Sequence, residues 1–140
     1  MSASSIRLYA TLSANRYLLL KRTLAAVMAA IGIAHFAIPA PFLKIVPAYL
    51  PQPLLLVHLS GFFEICGGVG LLLPATRRIA AFGLLALFIA VFPANLNQAM
   101  HDIAFDPAHP LPSWALWGRL PLQLGFLWWA AQFTRKVEPR

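Results

Sequence analysis

Residues 53–95 read PLLLVHLSGFFEICGGVGLLLPATRRIAAFGLLALFIAVFPAN and contain two apolar runs, Pro53–Pro74 and Ile79–Ala94. A short turn with two arginines, Arg77 and Arg78, separates them. A helix of ~20 apolar residues crosses a hydrocarbon core about 30 Å thick, because each residue adds ~1.5 Å. The stretch therefore predicts two membrane helices joined by a basic turn. The second run is short, so its helix is expected to cross nearly upright or to extend past the ends of the run.

Two further apolar runs, Thr23–Ala40 and Ser113–Phe133, flank this stretch. Hydrophobic residues make up 60% of the 140-residue chain and charged residues only 11%. Soluble domains average about half and about a quarter, and a soluble chain of this length could not bury so much apolar surface. The sequence predicts an all-α membrane protein, a four-transmembrane-helix antiparallel bundle over residues 23–133.

The basic residues outside the four runs predict the orientation of the bundle. If every run spans, nine of them fall on one side: Arg7, Arg16, Lys21, Arg22, Arg77, Arg78, Arg135, Lys136 and Arg140. Only Lys44 falls on the other. Loops rich in Lys and Arg stay in the cytoplasm, so both termini are predicted to be cytoplasmic. The net charge of +7 does not indicate a nucleic-acid partner, because these residues lie between apolar runs rather than in one patch.

Three segments lie outside the predicted spans. Residues 1–22 are weakly amphipathic and are expected on the cytoplasmic surface, and residues 134–140 form a cytoplasmic basic tail. Residues 41–52, PFLKIVPAYLPQ, are apolar but broken by prolines, so they predict an interfacial segment that caps the bundle between the first two spans. The alternative for the first run is a cleaved signal peptide, which would need an n-region of 22 residues.

The remaining loop and the single cysteine predict neither a metal site nor a disulfide. Residues 95–112 form a polar outer loop with His101, Asp102, Asp106 and His109. Their spacing matches no standard ligand pattern, so we interpret them as solvated. Cys66 is the only cysteine, which excludes an internal disulfide and a Cys-x-x-Cys relay.

Polar residues inside the apolar runs mark the candidate site, because ionisable groups within a membrane are costly and suggest function. The candidates for a ligand or proton site are Glu64, Arg119, Gln123, Asn95, Ser60, His58 and His35. Counted along the helices, all fall in the outer half of the membrane, which predicts one polar pocket there. Glu64 and Arg119 form the natural pair.

The residues leave several interpretations open. Glu64 and Arg119 could form a structural salt bridge, or they could hold a ligand, a quinone or a proton. His35 and His58 could be packed residues bonded to neighbouring carbonyls, or two haem ligands at matching depth. The sequence identifies no catalytic residue.

Four motifs occur together along the chain: SGFFE from Ser60, PATRRIAA from Pro74, FPAN from Phe92 and RLPLQ from Arg119. In this combination, residues 35–133 closely resemble the DoxX-like family of small bacterial membrane proteins. The resemblance implies a four-helix bundle in the bacterial inner membrane with a redox-associated role, for which quinone is a candidate ligand. The motif positions in this sequence are Ser60, Glu64, Arg77, Arg78, Pro93, Asn95, Arg119 and Gln123. The chain lacks the paired cysteines of some redox relatives, which argues against a thiol relay.

The function expected from these observations is that of a small quinone-contacting or accessory subunit of a membrane oxidoreductase system. A Rossmann-type glycine fingerprint and a haem-attachment motif are absent from the sequence, which favours an accessory subunit over a self-sufficient enzyme. The expected partners are the lipid bilayer and either a redox protein or a second copy of the chain. The alternatives are a small transporter, in which Glu64 titrates, and a non-catalytic structural membrane protein.

Overall fold

The structure is a computed structural model that describes the backbone of residues 3–135 and the side chains from residue 14 onward. This part of the chain is helical and contains no strand. Its elements are α1 (Ala3–Ala37), α2 (Pro39–Ile45), α3 (Pro53–Leu72), α4 (Arg77–Met100) and α5 (Ser113–Ala131).

Among the described residues, three helical segments are long and apolar enough to cross a membrane: Ala14–Ala37, Pro53–Leu72 and Arg77–Met100. The fourth long helix, α5, is not among these segments; it contains Arg119 and Gln123. Large apolar side chains cover the outside of the helices, as lipid-facing surfaces require, and Ile79 is 76% exposed. The prediction of an all-α chain is confirmed for the described residues, and three of its helices have the length and composition of membrane helices.

Helices α1 and α3 pack closely because small residues face each other across their interface. A Cβ atom on Gly32 would lie 2.6 Å from the carbonyl oxygen of Gly61, and one on Gly68 would lie 2.7 Å from that of Ala25. Such distances leave no room for a side chain, so the two backbones are in contact. This close packing places His35 of α1 beside Glu64 of α3.

The long helices pack in the order α1, α3, α4, α5. One end of the bundle, which we call the Arg77 end, is closed by side-chain packing. The rings of Tyr17 and Phe133 meet there at a centroid distance of 5.3 Å. The buried guanidinium of Arg77 donates to the Tyr17 hydroxyl at 2.5 Å and to the carbonyl of Arg135 at 2.6 Å. Arg77 therefore joins the start of α4 to α1 and to the chain that follows α5.

The largest apolar cluster lies at this same end. Its buried members are Leu24, Ala25, Met28, Leu71, Ala81, Leu84, Phe88, Ala130 and Phe133. The opposite end of the bundle is covered by α2, and we call it the α2 end. Because the packed core occupies the Arg77 end, the space between the helices remains at the α2 end.

Several helix boundaries differ from those predicted. Helix α1 is continuous from Ala3, so it has no break between the predicted surface segment and the first span. Helix α4 extends past its apolar run at both ends, as the short run required, and residues 95–100 are helical rather than part of a loop. The predicted cap contains one short helix, α2. Residues 136–140 of the predicted basic tail lie outside the described part of the chain.

Candidate functional site

A cavity of about 430 Å³ lies between the helices toward the α2 end. All five helices contribute side chains to its wall. Most of the lining is apolar and includes five phenylalanines: Phe42, Phe63, Phe88, Phe105 and Phe126. An apolar cavity of this size with a few convergent polar groups has the form of a small-molecule site.

The polar groups of the cavity wall are residues that the sequence predicted as candidates. They are His35, Ser60, Glu64, Asn95, Arg119 and Gln123. The seventh candidate, His58, is not among the lining residues; its ring stacks on Phe36 at 5.1 Å and borders a separate shallow groove. Since His35 faces the cavity and His58 does not, the structure does not bring the two histidines to one shared ligand.

Glu64 and His35 form the polar centre of the cavity wall between α3 and α1. Both side chains are about 10% exposed, and Nδ1 of His35 lies 3.1 Å from Oε2 of Glu64. Nδ1 is also 2.8 Å from the carbonyl oxygen of Ile31. A carbonyl only accepts, so Nδ1 carries a hydrogen and donates it to Ile31. Oε2 of Glu64 consequently has no hydrogen-bond partner among the described residues.

The ion pair expected between Glu64 and Arg119 is not formed. Among the described residues, the carboxyl groups within 4.0 Å of a basic side chain are those of Glu64, beside His35, and Asp106, beside His109. The close packing of α1 on α3 instead places His35 beside Glu64. This neighbour could not be predicted from the depths of the residues along their helices.

Arg119 is instead held by Gln98 and Phe105. Nη1 donates to Oε1 of Gln98 at 2.5 Å, and the guanidinium carbon lies 4.6 Å from the centre of the Phe105 ring. Gln98 is 1% exposed, and its Nε2 donates to the carbonyl of Ile103, which directs Oε1 toward the arginine. Arginine has five N–H donors, and the bond to Gln98 is the only hydrogen bond it makes with the described residues. Arg119 is thus a positioned cation with donors to spare.

A second amide network lies on the α4–α5 side of the cavity. Nε2 of Gln123 donates to the carbonyl of Phe88, and Oε1 of Gln123 accepts from Nδ2 of Asn95 at 2.8 Å. The carbonyl of Phe88 can only accept, so it fixes the orientation of both amides. Oδ1 of Asn95 remains an acceptor on the cavity wall.

Helix α2 and the loop after α4 close the α2 end of the cavity. Phe42 of α2 stacks on His35 with ring centroids 3.8 Å apart, and it also contacts the Phe105 ring at 5.8 Å. Lys44 donates to the carbonyl of Phe105, and Asn97 donates to that of Ile45. These contacts place aromatic rings over the polar groups.

The side of the cavity is open to the outside of the bundle. Three of its large apolar lining residues are also exposed: Leu59, Phe63 and Leu122, which are 41%, 53% and 61% exposed. Leu59 and Phe63 belong to α3 and Leu122 to α5, so the opening lies between these two helices. A rim of apolar side chains suits entry from lipid rather than from water.

The polar loop after α4 bonds mainly within itself. His109 donates to Asp106 at 2.9 Å, the N–H of Ala108 donates to the same carboxylate, and Ser113 donates to Asp102. The bond from His109, aided by the Ala108 amide, lowers the pKa of Asp106 below its ordinary value of 3.8. Within the described residues, no three His, Cys, Asp or Glu side chains are grouped to hold a metal ion.

Sequence reasoning missed Gln98 and Phe105, which hold Arg119. Both were assigned to a solvated loop, whereas α4 continues through Gln98. The signal that could have identified Gln98 is its spacing: Asn95 and Gln98 are three residues apart and therefore share one helical face. Phe105 follows α4 in irregular chain, and no sequence pattern marks it.

The model of one protein family matches residues 24–134, and that family is described as a domain of unknown function (DUF8561). The match covers most of the chain, including α2–α5, residues 24–37 of α1 and every residue of the cavity wall. The chain belongs to the DUF8561 family. No match was found among the curated proteins or among the solved structures.

Proposed function

We propose that this DUF8561 protein is a quinone-contacting accessory subunit of a membrane oxidoreductase system, with its cavity as the quinone site. The observation that carries this proposal is the cavity itself, which gathers six of the seven predicted polar candidates within an apolar and aromatic wall. A planar ring can stack against phenylalanine side chains, and its oxygens can meet the polar groups. The resemblance to the DoxX-like family supports the redox association.

The shape of the cavity fits a ligand dissolved in lipid. Its rim between α3 and α5 is apolar, and its volume of about 430 Å³ accommodates a ring headgroup with the first part of an apolar tail. Arg119 and the Glu64–His35 pair provide polar contacts on different helices. The remainder of a long tail would stay outside, against Leu59 and Leu122.

The proposal includes the membrane arrangement. All four long helices span the bacterial inner membrane, α5 included, and both termini lie in the cytoplasm. The basic residues support this orientation, because Arg77, Arg78 and Arg135 meet at one end of the bundle, whereas Lys44 lies at the other. The α2 end, with the cavity, then faces outward. Reporter fusions after residues 48, 108 and 140 test this topology, and an external C-terminus contradicts it.

The test of the site uses protein purified in mild detergent. Organic extraction and chromatography are expected to recover a membrane quinone in amounts approaching one per chain. The delipidated protein is expected to bind decylubiquinone or menadione in a calorimetric titration. The variant Gln123→Leu breaks the amide network and is expected to weaken binding, while the control Leu124→Ala, on the exposed side of α5, is not. Protein without extractable quinone and without binding of either probe contradicts the proposal.

The alternative of a small transporter has less support. A transporter must open its site to each side of the membrane in turn. Here Arg77, Tyr17 and Phe133 pack together at the end opposite the cap, while the cavity opens to the side. This arrangement favours a binding site entered from lipid over a passage through the bundle.

A further inference from the structure

The polar groups that remain free on the cavity wall include two acceptor oxygens. The amide nitrogens of Gln123 and Asn95 each donate one hydrogen bond already, the first to the Phe88 carbonyl and the second to Oε1 of Gln123. Their orientation leaves Oδ1 of Asn95 free. Oε2 of Glu64 is buried and has no hydrogen-bond partner among the described residues. Two oxygens on the wall therefore lack a donor.

Further free donors lie elsewhere on the wall. Arg119 retains N–H groups beyond the one bonded to Gln98. Ser60 adds a hydroxyl, which can either donate or accept. A headgroup that satisfies the whole wall must donate toward Glu64 and Asn95, and it must accept from Arg119.

The two forms of a quinone differ in this respect. The oxidised ring carries carbonyl oxygens that only accept, so it can bond to Arg119 but faces the Glu64 carboxylate with another acceptor. The reduced ring carries two hydroxyls, each of which donates one hydrogen bond and accepts another. A hydroxyl that donates to a buried carboxylate forms a charge-assisted bond, one of the stronger kinds in proteins.

We infer that the cavity selects the reduced, dihydroxy form of its quinone, with one ring hydroxyl donating to the Glu64 carboxylate and a ring oxygen accepting from Arg119. This inference rests on the proposed function and concerns binding alone; no electron or proton is transferred in it. His35 lies against the carboxylate on the α1 side, with its Nδ1 3.1 Å from Oε2 and its N–H bonded to Ile31. The protein would thereby retain quinol in preference to quinone.

The test compares the two forms directly. Protein in lipid nanodiscs is titrated anaerobically with decylubiquinol and, separately, with decylubiquinone, and heat or bound ligand is measured. The expected result is at least about tenfold tighter binding of the quinol, the size of one charge-assisted hydrogen bond. Equal binding, or tighter binding of the quinone, overturns the inference while the proposed function stands. If neither form binds, the proposed function and the inference fail together.

Variants locate the preference. Glu64→Gln replaces an acceptor-only group with an amide that can donate to a carbonyl, so the preference for quinol is expected to fall at least tenfold. The control is His58→Gln, at a histidine outside the cavity, which is expected to keep the wild-type preference. If Glu64→Gln does not fold, Asn95→Ala removes the second free acceptor and is expected to narrow the preference. A full preference in a folded Glu64→Gln protein overturns the inference.

Discussion

Nδ1 of His35 lies 3.1 Å from Oε2 of Glu64, across the close interface of α1 and α3. The contact is possible because Gly32 and Gly61, each three residues before a member of the pair, bring the two backbones together. It gives a buried carboxylate a neighbouring N–H group without using up its acceptor capacity. The position of the polar pair in the cavity wall therefore depends on Gly32 and Gly61, although neither glycine contributes a side chain to it.

The His35–Glu64 contact predicts energetic coupling between the two residues. His35→Phe and Glu64→Gln are each expected to lower the thermal unfolding midpoint, because the first removes the imidazole beside a buried carboxylate and the second removes the carboxylate beside a buried imidazole. The double variant is expected to lose less than the sum, with a coupling of about 1–2 kcal/mol. Reversible unfolding in detergent measures it. Strictly additive losses contradict a direct interaction, and Glu64→Gln combined with His58→Phe serves as the additive control.

The α1–α3 interface predicts which glycines resist substitution. A Cβ atom on Gly61 would lie 2.7 Å from Cβ of His35 and 2.8 Å from the Gly32 carbonyl oxygen. Gly61→Ala is therefore expected to destabilise the protein by about 1–3 kcal/mol, the usual cost of overpacking. A Cβ atom on Gly83 would meet nothing within 4 Å, so Gly83→Ala is the matched control and is expected to be neutral or slightly stabilising. Equal effects of the two substitutions on thermal unfolding contradict the packing argument.

The Arg77 end predicts a large difference between two adjacent arginines. Arg77 is buried and makes two hydrogen bonds to separate parts of the chain, whereas Arg78 is exposed and makes one, to the Thr134 carbonyl. Arg77→Gln is expected to cost about 2 kcal/mol or more, and Arg78→Gln about 0.5 kcal/mol or less. Limited proteolysis near residue 135 should detect the released chain in the first variant. Indistinguishable cleavage of the two variants is the contrary result.

The bond between Gln98 and Arg119 predicts a positioning role for Gln98. Gln98→Leu removes the acceptor that holds Nη1, so decylubiquinone binding is expected to weaken about tenfold. Gln98→Glu keeps an acceptor oxygen in the same place and is expected to retain most of the binding. Calorimetric titration measures both variants. Equal weakening by Leu and Glu would show that side-chain shape, rather than the hydrogen bond, governs the site.

The loop after α4 predicts a pH dependence at Asp106. The hydrogen bond from His109 lowers the pKa of this carboxyl, so the ionised form is favoured in the folded loop. Ionised Asp106 therefore stabilises the folded loop fully at pH values above its unfolded pKa, near 4. This stabilisation is lost as the pH falls through the lower pKa of the folded state. Carbon-detected NMR titration of the carboxyl measures it. His109→Ala is expected to return the midpoint toward 3.8, and a wild-type midpoint above 3.8 contradicts the assignment.

The sequence predicted the long apolar helices and six polar residues of the cavity wall. Helices α3 and α5 begin at the predicted residues, Pro53 and Ser113. These starts could be predicted because a proline at or just before the first helical residue and the onset of an apolar run are local sequence signals. Helical depth placed Glu64, Arg119 and Gln123 at neighbouring levels, and all three line one cavity. Local sequence signals and the rise per residue of a helix are enough to predict these helix starts and these levels.

The pairing of residues could not be predicted from the sequence in the same way. Which residue meets Glu64 depends on the rotation of α1 and α3 about their axes, and that rotation is set by the contact of Gly32 with Gly61. The partner of Arg119 depends on how far α4 continues past its apolar run. Both pairings depend on tertiary structure, which cannot be predicted from the depth of a residue along its helix.

Arg77 fixes the separation of α1 from the chain after α5 at one end of the bundle, through Tyr17 and the carbonyl of Arg135. The helices are therefore tied together at that end. Helix α5 packs on α4, and the cavity opens between α3 and α5 at the far end. A ring that enters from the side thus meets the bundle away from its packed core, so the residues that stabilise the fold and those that would contact a ligand are largely separate sets.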